Sequence, residues 1–363
     1  MRGKSIAGLK TSEFDYDLPP ELIAQTPVEP RDSSRLMAVD RSTGELIHRR
    51  FRDLPQFLRP GDLLIYNESR VIPARIFARK PTGGRVEILL LRPRSEEVWE
   101  VLVRGRRVGA GLRLEVLDGP GGEPVGARAE VLEAGERGWR LLAFDRPALV
   151  LAEAVGQTPL PPYIHQPLRD PERYQTVYAR TPGSAAAPTA GLHFTPDLLM
   201  RLRDMGVRSA FVTLHVGLDT FQPVSEDRVE DHRMHSEVCR LTPEVAAQIN
   251  QAKLEGHRVI AVGTTAVRVL EAAASRASGG GADAEVCPWR AVAAFEGETD
   301  LFIYPGFRFR AVDGMITNFH LPRSTLLMLV AAFCGKDLLD RAYAEAIRLR
   351  YRFYSFGDAM LIL

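Results

Sequence analysis

The sequence is organised around the stretch Asp313-Gly-Met-Ile-Thr-Asn-Phe-His-Leu-Pro-Arg-Ser-Thr-Leu-Leu-Met-Leu-Val-Ala-Ala-Phe-Cys-Gly335. Its second half, Leu326 to Phe333, is almost wholly apolar and predicts a buried helix capped by Ser324 and ended by Gly335. Its first half predicts a short irregular run of polar side chains. The positive end of the helix would face that run, as in sites for anionic groups. On this stretch alone, a capped core helix with a polar lead-in is the favoured interpretation.

The composition is that of a soluble globular protein. The chain has 363 residues, 45% hydrophobic and 26% charged, which favours two domains. Lys and Arg number 47 against 46 Asp and Glu, so any face that binds nucleic acid must be local. The three cysteines form no C-x-x-C pair, which argues against a zinc knuckle or a disulfide framework. No apolar run approaches the ~18 residues of a membrane span, so we expect a cytoplasmic protein.

Residues 73–150 differ in character from the rest of the chain. Short β-like runs alternate there with Gly and Pro clusters, at the spacing that is typical of a small antiparallel β-barrel. These runs are Val86–Leu91, Val98–Arg104, Leu112–Leu117, Ala129–Leu132 and Trp139–Phe144. We therefore predict an α/β main domain, with a mixed sheet or barrel core and surrounding helices, built from residues 1–72 and 151–363. The barrel domain of residues 73–150 is inserted into it.

Cap residues mark the helices of the second part. Thr195 and Thr242 each precede a proline, which is a typical helix start. Another helix follows a buried strand at Gly263-Thr264-Thr265, and Lys336–Tyr351 has the pattern of an amphipathic helix. These helices alternate with strands, as in an α/β domain.

Polar side chains at the ends of elements are the candidates for chemistry. His193 precedes a capped helix, and His215 with Asp219 follows a strand, where sites lie in α/β sheets. Both histidines could instead be hydrogen-bonded residues at element ends. Thr264 and Thr265 could simply cap a helix.

A second interpretation of that helix start is an anion site. Gly263, Thr264 and Thr265 would offer backbone N–H groups and hydroxyls to a carboxylate or phosphate, with Arg268 one turn further on. No Walker loop and no G-x-G-x-x-G motif is present, so a nucleoside triphosphate or dinucleotide site is not supported.

His232 and His235 could bind a metal if they shared one helix face. They lack a firm third ligand, because Glu237 does not share their spacing, and a metal site is not favoured. The residues alone thus predict a histidine-rich anion-binding site in an α/β enzyme.

A series of longer phrases carries more specific information. In chain order they are Phe14-Asp-Tyr-Asp-Leu-Pro-Pro, Arg31-Asp-Ser-Ser-Arg-Leu, Asn67-Glu-Ser-Arg-Val-Ile-Pro-Ala-Arg75, Leu160-Pro-Pro-Tyr-Ile, Tyr174-Gln-Thr-Val-Tyr178, Pro188-Thr-Ala-Gly-Leu-His-Phe-Thr195, the His232/His235 cluster, Gly263-Thr-Thr, Thr317-Asn-Phe-His-Leu-Pro-Arg-Ser-Thr-Leu326 and Tyr354-Ser-Phe-Gly-Asp-Ala-Met-Leu-Ile. Together they closely resemble the S-adenosylmethionine:tRNA ribosyltransferase-isomerase family of queuosine biosynthesis, from about residue 12 to the C-terminus. The first ten residues and the Gly/Ala-rich stretch near 277–286 are local additions.

This resemblance implies a reaction. The family transfers and isomerises the ribosyl group of S-adenosylmethionine onto 7-aminomethyl-7-deazaguanine at the tRNA wobble position, giving epoxyqueuosine-tRNA, adenine and methionine. S-adenosylmethionine is then a consumed co-substrate, and no metal is implied. The family is also described as an α/β domain with an inserted β-barrel.

The resemblance suggests roles for the polar residues. A base should remove an acidic C5′ proton beside the sulfonium, and His193 or His215 suits that task, with His235 and His320 behind them. Asp219 could keep the attacking amine neutral. The predicted residues for binding S-adenosylmethionine are Gly263, Thr264, Thr265, Arg268, Asn318, His320, Ser324 and Thr325.

The tRNA would be held largely through its backbone by arginines. Candidates are Arg104, Arg106, Arg107 and Arg113 of the predicted barrel, and Arg348, Arg350 and Arg352 near the C-terminus. The barrel arginines could also form a solvated hairpin face. We expect a monomer. Two alternative functions stay open: a metal-dependent hydrolase using His232 and His235, and a non-catalytic RNA-binding protein.

Overall fold

The structure is a computed structural model that describes residues 8–217, 224–279 and 289–363. The chain divides into two compact units. The first, here called the sheet unit, consists of Met1–Ser69, Pro162–Arg180 and Pro188–Leu363. The second, the barrel unit, consists of Arg70–Pro161 and Thr181–Ala187. The domain boundaries at 73 and 150 stay predictions.

The described residues form strands and helices in the following order. The strands are β1 Arg35–Val39, β2 Leu46–Arg50, β3 Leu63–Asn67, β4 Ser69–Val71, β5 Arg75–Arg79, β6 Arg85–Pro93, β7 Val98–Arg104, β8 Arg113–Leu117, β9 Pro124–Ala134, β10 Trp139–Phe144, β11 Thr181–Ser184, β12 Arg208–Leu214, β13 Glu237–Leu241, β14 Val259–Val262, β15 Phe295–Thr299, β16 Gly314–Asn318 and β17 Ala359–Ile362. The α-helices are α1 Ala148–Val155, α2 Pro196–Asp204, α3 Pro243–Leu254, α4 Thr264–Ala277, α5 Thr325–Cys334 and α6 Lys336–Arg348.

The sheet unit contains a mixed sheet whose nine strands, within the described residues, run β15-β13-β12-β3-β14-β16-β17-β1-β2. Its centre is parallel, because β3 pairs in parallel with β12 and β14, and β14 pairs in parallel with β16. All residues of β3, β14 and β16 are buried. Nearly continuous apolar runs such as Val259–Val262 suit this position, since parallel strands are covered on both faces.

One edge of this sheet collects the ends of several strands. Here β12, β3, β14 and β16 end side by side, and we call this the carboxyl edge. Strand β17 runs antiparallel to β16, and β1 runs parallel to β17, so both of these strands begin at the same edge. In open α/β sheets, ligands bind outside the carboxyl ends of the strands.

The helix starts follow the predicted caps in three cases. The side chains of Thr195, Thr242 and Ser324 each accept a hydrogen bond from the backbone three residues on, at the starts of α2, α3 and α5. Helix α5 is buried over most of its length and ends at Gly335, as predicted. An apolar helix of this kind stabilises the fold through burial, about 1.5–3 kcal/mol for each large side chain.

The barrel unit confirms the second part of the predicted fold class. Its strands close into a barrel in the order β10-β7-β6-β5-β8-β9, with antiparallel pairing throughout. Strand β5 and helix α1 were not predicted from the sequence. Closure removes the unpaired strand edges that would otherwise invite association.

Three parts of the sequence interpretation were wrong or incomplete. The polar run before α5 was predicted to be irregular, yet Thr317 and Asn318 end the buried strand β16. Strands β13, β15 and β17 were not predicted. His232 and His235 do not share a helix face, because the backbone is already extended at His232, with φ −70° and ψ 130°. Among the described helices, none combines the length and apolar character needed to cross a membrane.

Candidate active site at the carboxyl edge

The carboxyl edge brings together residues from distant parts of the chain. His215 follows β12, Gly263 follows β14, and Asn318 ends β16. Strands β12 and β16 are separated by β3 and β14, so their ends lie three strand spacings apart, about 14 Å. The edge is therefore wide enough to contact several groups of one substrate.

His215 is placed by a clamp on the end of β12. The buried Asn67 side chain donates to Leu214 O at 3.0 Å and accepts from Leu214 N at 3.1 Å. The next backbone N–H, that of His215, donates to Val238 O at 3.0 Å. The imidazole itself has a buried Nδ1 without a hydrogen-bond partner in the described parts of the chain. Burial lowers the pKa of His215.

His193 ends a 3-10 helical segment, Thr189–His193, that packs against β16. The segment passes so close to Tyr178 that a Cβ on Gly191 would lie 2.1 Å from its hydroxyl oxygen, so this position requires glycine. The His193 ring stacks on Phe51 at a centroid distance of 4.9 Å. Its Nδ1 lies 2.8 Å from Ser34 Oγ, and its buried Nε2 has no partner among the described residues.

The surroundings of His193 keep its imidazole neutral. Burial lowers its pKa to about 3, and the positive charges of Arg352 and Arg31 act in the same direction. The Asn318 side chain opposes this shift by acting as a hydrogen-bond acceptor. The hydrogen bond is not closed, however, since Oδ1 of Asn318 is also buried without a partner in the described structure.

The start of α4 lacks the side-chain cap that is found at the starts of α2, α3 and α5. Gly263 is its N-cap residue at φ 92°, a left-handed conformation that favours glycine, and it supplies no side-chain cap. Thr264 is buried, and the buried hydroxyl of Thr265 has no partner among the residues described. A Cβ on Gly263 would lie 3.6 Å from both Thr265 Oγ1 and Ala190 Cβ, so this helix start adjoins the His193 segment. Its backbone N–H groups, dipole and spare hydroxyl suit an anionic group.

Arg268 lies one turn into α4, and its guanidinium is used within the protein. It forms a buried ion pair with Glu237, and its Nε donates to Leu301 O at 3.1 Å. Glu237 also accepts from Gly217 N at 3.2 Å, two residues after His215. The pair therefore ties β13 and α4 to the segment that carries His215. A role for Arg268 in binding substrate stays a prediction.

The predicted residues around the start of α5 are held in closed hydrogen bonds. His320 Nε2 lies 2.7 Å from Thr317 Oγ1, and His320 N donates to Tyr343 Oη at 2.8 Å. Burial lowers the pKa of His320 to about 3. Ser324 Oγ donates to Leu321 O at 2.8 Å and accepts from Leu327 N at 3.2 Å. Thr325, the first residue of α5, is buried.

The remaining candidates are His232, His235 and Asp219. His235 is exposed, just before β13, and His232 Nδ1 pairs with Glu226 at 2.9 Å. Asp219 lies outside the described residues. In residues 8–217, 224–279 and 289–363, no three His, Cys, Asp or Glu side chains are grouped as a metal site would require.

Three residues of this edge received no role from the sequence: Ser34, Asn67 and Tyr178. All three lie inside phrases that carry the family resemblance, which was the available signal. Ser34 and Asn67 are buried polar residues at the ends of strands, a position that the sequence predicts only once the strand order is known.

Comparisons with known proteins agree with this architecture. The model of a family described as "Queuosine biosynthesis protein" matches residues 11–362. The S-adenosylmethionine:tRNA ribosyltransferase-isomerase of Thermus thermophilus is 56% identical over 353 residues, 96% of this chain and 98% of its own length. The enzyme of the same name from Carboxydothermus hydrogenoformans is 52% identical over 358 residues, which are 98% of this chain and 100% of its own length.

A solved structure is similar as well. The crystal structure of S-adenosylmethionine tRNA ribosyltransferase from Thermotoga maritima aligns with a TM-score of 0.54 and 42% identity, covering 97% of this chain and 100% of that one. The chain therefore belongs to the queuosine biosynthesis protein family, the family of the S-adenosylmethionine:tRNA ribosyltransferase-isomerases.

Proposed function

We propose that this protein transfers and isomerises the ribosyl group of S-adenosylmethionine onto 7-aminomethyl-7-deazaguanine at the tRNA wobble position, releasing adenine and methionine. The observation that carries the proposal is the full-length match to relatives that bear this activity's name. The carboxyl edge supports it, because buried polar atoms that lack partners among the described residues lie at or just after three strand ends there. In native proteins such atoms are rare away from ligands and water.

His215 is the stronger candidate for the base that removes the C5′ proton. A proton-accepting histidine becomes an imidazolium, and at His193 the charges of Arg31 and Arg352 oppose that state. At His215, only burial lowers the pKa. A base works best when its pKa lies near the working pH, which favours His215 over a group with a pKa of about 3. His235 and Asp219 keep their predicted supporting roles.

The start of α4 is proposed to hold the methionine carboxylate of S-adenosylmethionine. Gly263, Thr264 and Thr265 would bind it through backbone N–H groups and the Thr265 hydroxyl. No metal ion is needed for any of these contacts. The metal-dependent hydrolase gains no support, since His232 is paired with Glu226 and is not grouped with further metal ligands in the described residues. The non-catalytic alternative gains none either, since the relatives carry the name of an enzyme.

The tRNA is proposed to contact the barrel unit through its exposed arginines. Arg104, Arg106 and Arg107 are exposed and lie outside every ion pair seen in the described residues, whereas Arg113 pairs with Glu130 at 3.2 Å. In the sheet unit, Arg348 pairs with Glu345 at 2.7 Å. Unpaired arginines are the better phosphate ligands, because binding then breaks no existing ion pair.

The direct test of the activity is a product assay. Purified protein, S-adenosylmethionine and tRNA carrying the aminomethyl-deazaguanine are mixed, and adenine and methionine are followed by chromatography. We expect both products with that tRNA and neither with tRNA that lacks the modified base. Equal release from both tRNAs, or release of only one product, would contradict the proposed reaction.

The tRNA contact is tested separately by charge reversal. The triple variant Arg104→Glu, Arg106→Glu, Arg107→Glu should bind tRNA more weakly and with a shallower salt dependence, because up to three phosphate contacts are lost. The affinity for S-adenosylmethionine should not change. The matched control is Arg113→Glu, whose arginine is already paired with Glu130. Unchanged tRNA affinity in the triple variant would exclude this surface.

A further inference from the structure

A line of polar groups crosses the carboxyl edge behind the candidate site. It runs from Ser34 to His193, then to Asn318, and ends at the backbone carbonyl of Tyr354. Ser34 Oγ lies 2.8 Å from His193 Nδ1, and Asn318 Nδ2 donates to Tyr354 O at 3.0 Å. Between them, Nε2 of His193 and Oδ1 of Asn318 are both buried and without partners in the described parts of the chain. The line of hydrogen bonds is thus interrupted only between His193 Nε2 and Asn318 Oδ1.

The two ends of the line fix the direction of its hydrogen bonds. Tyr354 O can only accept, so the Asn318 amide must present its NH2 group to it and its Oδ1 to the other side. An acceptor therefore faces His193, which agrees with the effect of Asn318 on this imidazole. Because Nε2 faces an acceptor, the favoured tautomer carries its proton on Nε2. Nδ1 then accepts from the Ser34 hydroxyl.

This arrangement brings a buried donor close to a buried acceptor, and their contact acts on the pKa of His193 without forming a full hydrogen bond. Buried polar groups are almost always paired, with protein, water or ligand. A hydroxyl group is the smallest group that can satisfy both, because its oxygen accepts from Nε2–H while its hydrogen is donated to Oδ1. The stacked ring of Phe51 and the bond to Ser34 hold the imidazole in place.

We propose that Nε2–H of His193 and Oδ1 of Asn318 together bind one sugar hydroxyl group of the substrates. This inference rests on the proposed function and changes the role of His193 from proton acceptor to hydrogen-bond donor. Two sources could supply the hydroxyl: the ribose of S-adenosylmethionine, which we favour, and the ribose of the wobble nucleotide in tRNA. Both carry the same chemistry, and the experiment separates them.

The experiment combines deoxy substrates with variants. The dissociation constants of S-adenosylmethionine and of its 2′-deoxy and 3′-deoxy analogues are measured with the protein saturated by tRNA that lacks the precursor base, so that no turnover occurs. A parallel arm replaces the 2′-hydroxyl of the wobble nucleotide by hydrogen. In the wild type, we expect one of these deletions to weaken binding about tenfold, the effect of one lost hydroxyl contact.

The variants decide whether this pair makes the contact. In Asn318→Ala the effect of the deletion should fall from about tenfold to about threefold, because the acceptor is gone while Nε2–H of His193 still donates to the hydroxyl. His193→Gln keeps an N–H near the position of Nε2 and should preserve most of the discrimination, whereas His193→Asn keeps only the group near Nδ1 and should lose it. His257→Gln, remote from this edge at the opposite end of β14, is the control and should retain the full effect.

The outcomes distinguish the proposed function from the hydroxyl contact. If wild-type protein releases no adenine with the precursor tRNA, the proposed function fails. If adenine is released, two results would overturn only the hydroxyl contact. In the first, the deoxy substrates bind the wild type as tightly as the normal substrates do. In the second, each deletion weakens binding to the wild type and to Asn318→Ala by the same factor. Thermal unfolding of each variant shows that it is folded. If Asn318→Ala is unstable, the comparison of His193→Gln with His193→Asn still tests the contact, and equal discrimination in these two variants would overturn it.

Discussion

The starts of helices α4 and α5 contain similar residues but differ in how their hydrogen bonds are satisfied. At α5, the Ser324 side chain accepts from Leu327 N at 3.2 Å and donates to Leu321 O at 2.8 Å. At α4, Gly263 supplies no side-chain cap, and the buried Thr265 hydroxyl has no partner among the residues described. The Ser324 hydroxyl at the start of α5 is thus fully hydrogen-bonded without a ligand. The start of α4 has spare hydrogen-bond donors, which is what a substrate site requires.

Two buried histidines repeat this contrast. His193 and His320 both have a pKa lowered to about 3 by burial. Nε2 of His320 lies 2.7 Å from Thr317 Oγ1, while Nε2 of His193 has no partner in the described structure. Burial and a shifted pKa therefore do not distinguish these two histidines. The unsatisfied nitrogen does, because a buried polar atom without a partner is costly unless a ligand completes it.

The first prediction concerns His215, whose buried Nδ1 has no partner among the described residues. Replacing it in His215→Gln should lower kcat about 10²–10⁴-fold, the usual contribution of a general base. Adenine release from saturating substrates is the measurement. His257→Gln, at a partly exposed site near Glu255, serves as the control and should stay within about twofold of the wild type. A His215→Gln enzyme with wild-type kcat would remove His215 from the chemistry.

The second prediction is a pH dependence of stability shared by the two buried histidines. In the folded protein both histidines have a pKa of about 3, against 6.5 for the free side chain. Between these pH values, the unfolded chain therefore binds more protons than the folded protein does. Acidification from pH 6.5 towards 3 should therefore lower the free energy of unfolding, by about 1.4 kcal/mol per pH unit for each histidine. Denaturant unfolding at several pH values measures the slope.

Single variants show whether the two histidines contribute alike. His193→Gln and His320→Gln should each reduce the change of the free energy of unfolding with pH by the contribution of one histidine, although only His193 is proposed to contact substrate. Carboxylates titrate in the same range, so the difference from the wild type is the quantity to compare. A slope unchanged in either variant would mean that its histidine is protonated in the folded state.

The smallest effects test the two helix starts directly. Ser324→Ala removes a cap and should lower the free energy of unfolding by about 1 kcal/mol, with KM for S-adenosylmethionine within about twofold of the wild type. Thr265→Val keeps the shape and removes an unpaired hydroxyl, so stability should not fall, while KM should rise up to about tenfold. Chemical denaturation and initial rates measure both quantities. A raised KM in Ser324→Ala together with an unchanged KM in Thr265→Val would instead place the substrate contact at the start of α5.

Much of the fold could be predicted because it depends on local signals. The caps at Thr195, Thr242 and Ser324 and the apolar run of α5 follow from residue type and spacing. The polar end of β16 was mistaken for an irregular run, because Thr317 and Asn318 belong to the strand through their pairing with Met360 and Ala359 of β17, which no local pattern indicates. Tertiary contacts outweigh local propensity at such positions.

The site was predictable in residue type but not in its connections. His193, His215 and Thr265 stood out because polar residues follow strands or open helices. That Arg268 is paired with Glu237, and that Ser34 reaches His193, depends on contacts across 31 and 159 residues. A single sequence gives no information on pairs at such separations, and hydrogen-bond satisfaction is a property of pairs.

One NMR spectrum can compare His193 and His320 directly. Imidazole N–H resonances of isotope-labelled histidine would be recorded with and without saturating S-adenosylmethionine, and assigned with His193→Gln and His320→Gln. We predict that the Nε2–H resonance of His193 shifts on binding, while the resonances of His320 stay in place. A shift of the His320 resonances without any change at His193 would contradict the assignment of the substrate contact to His193.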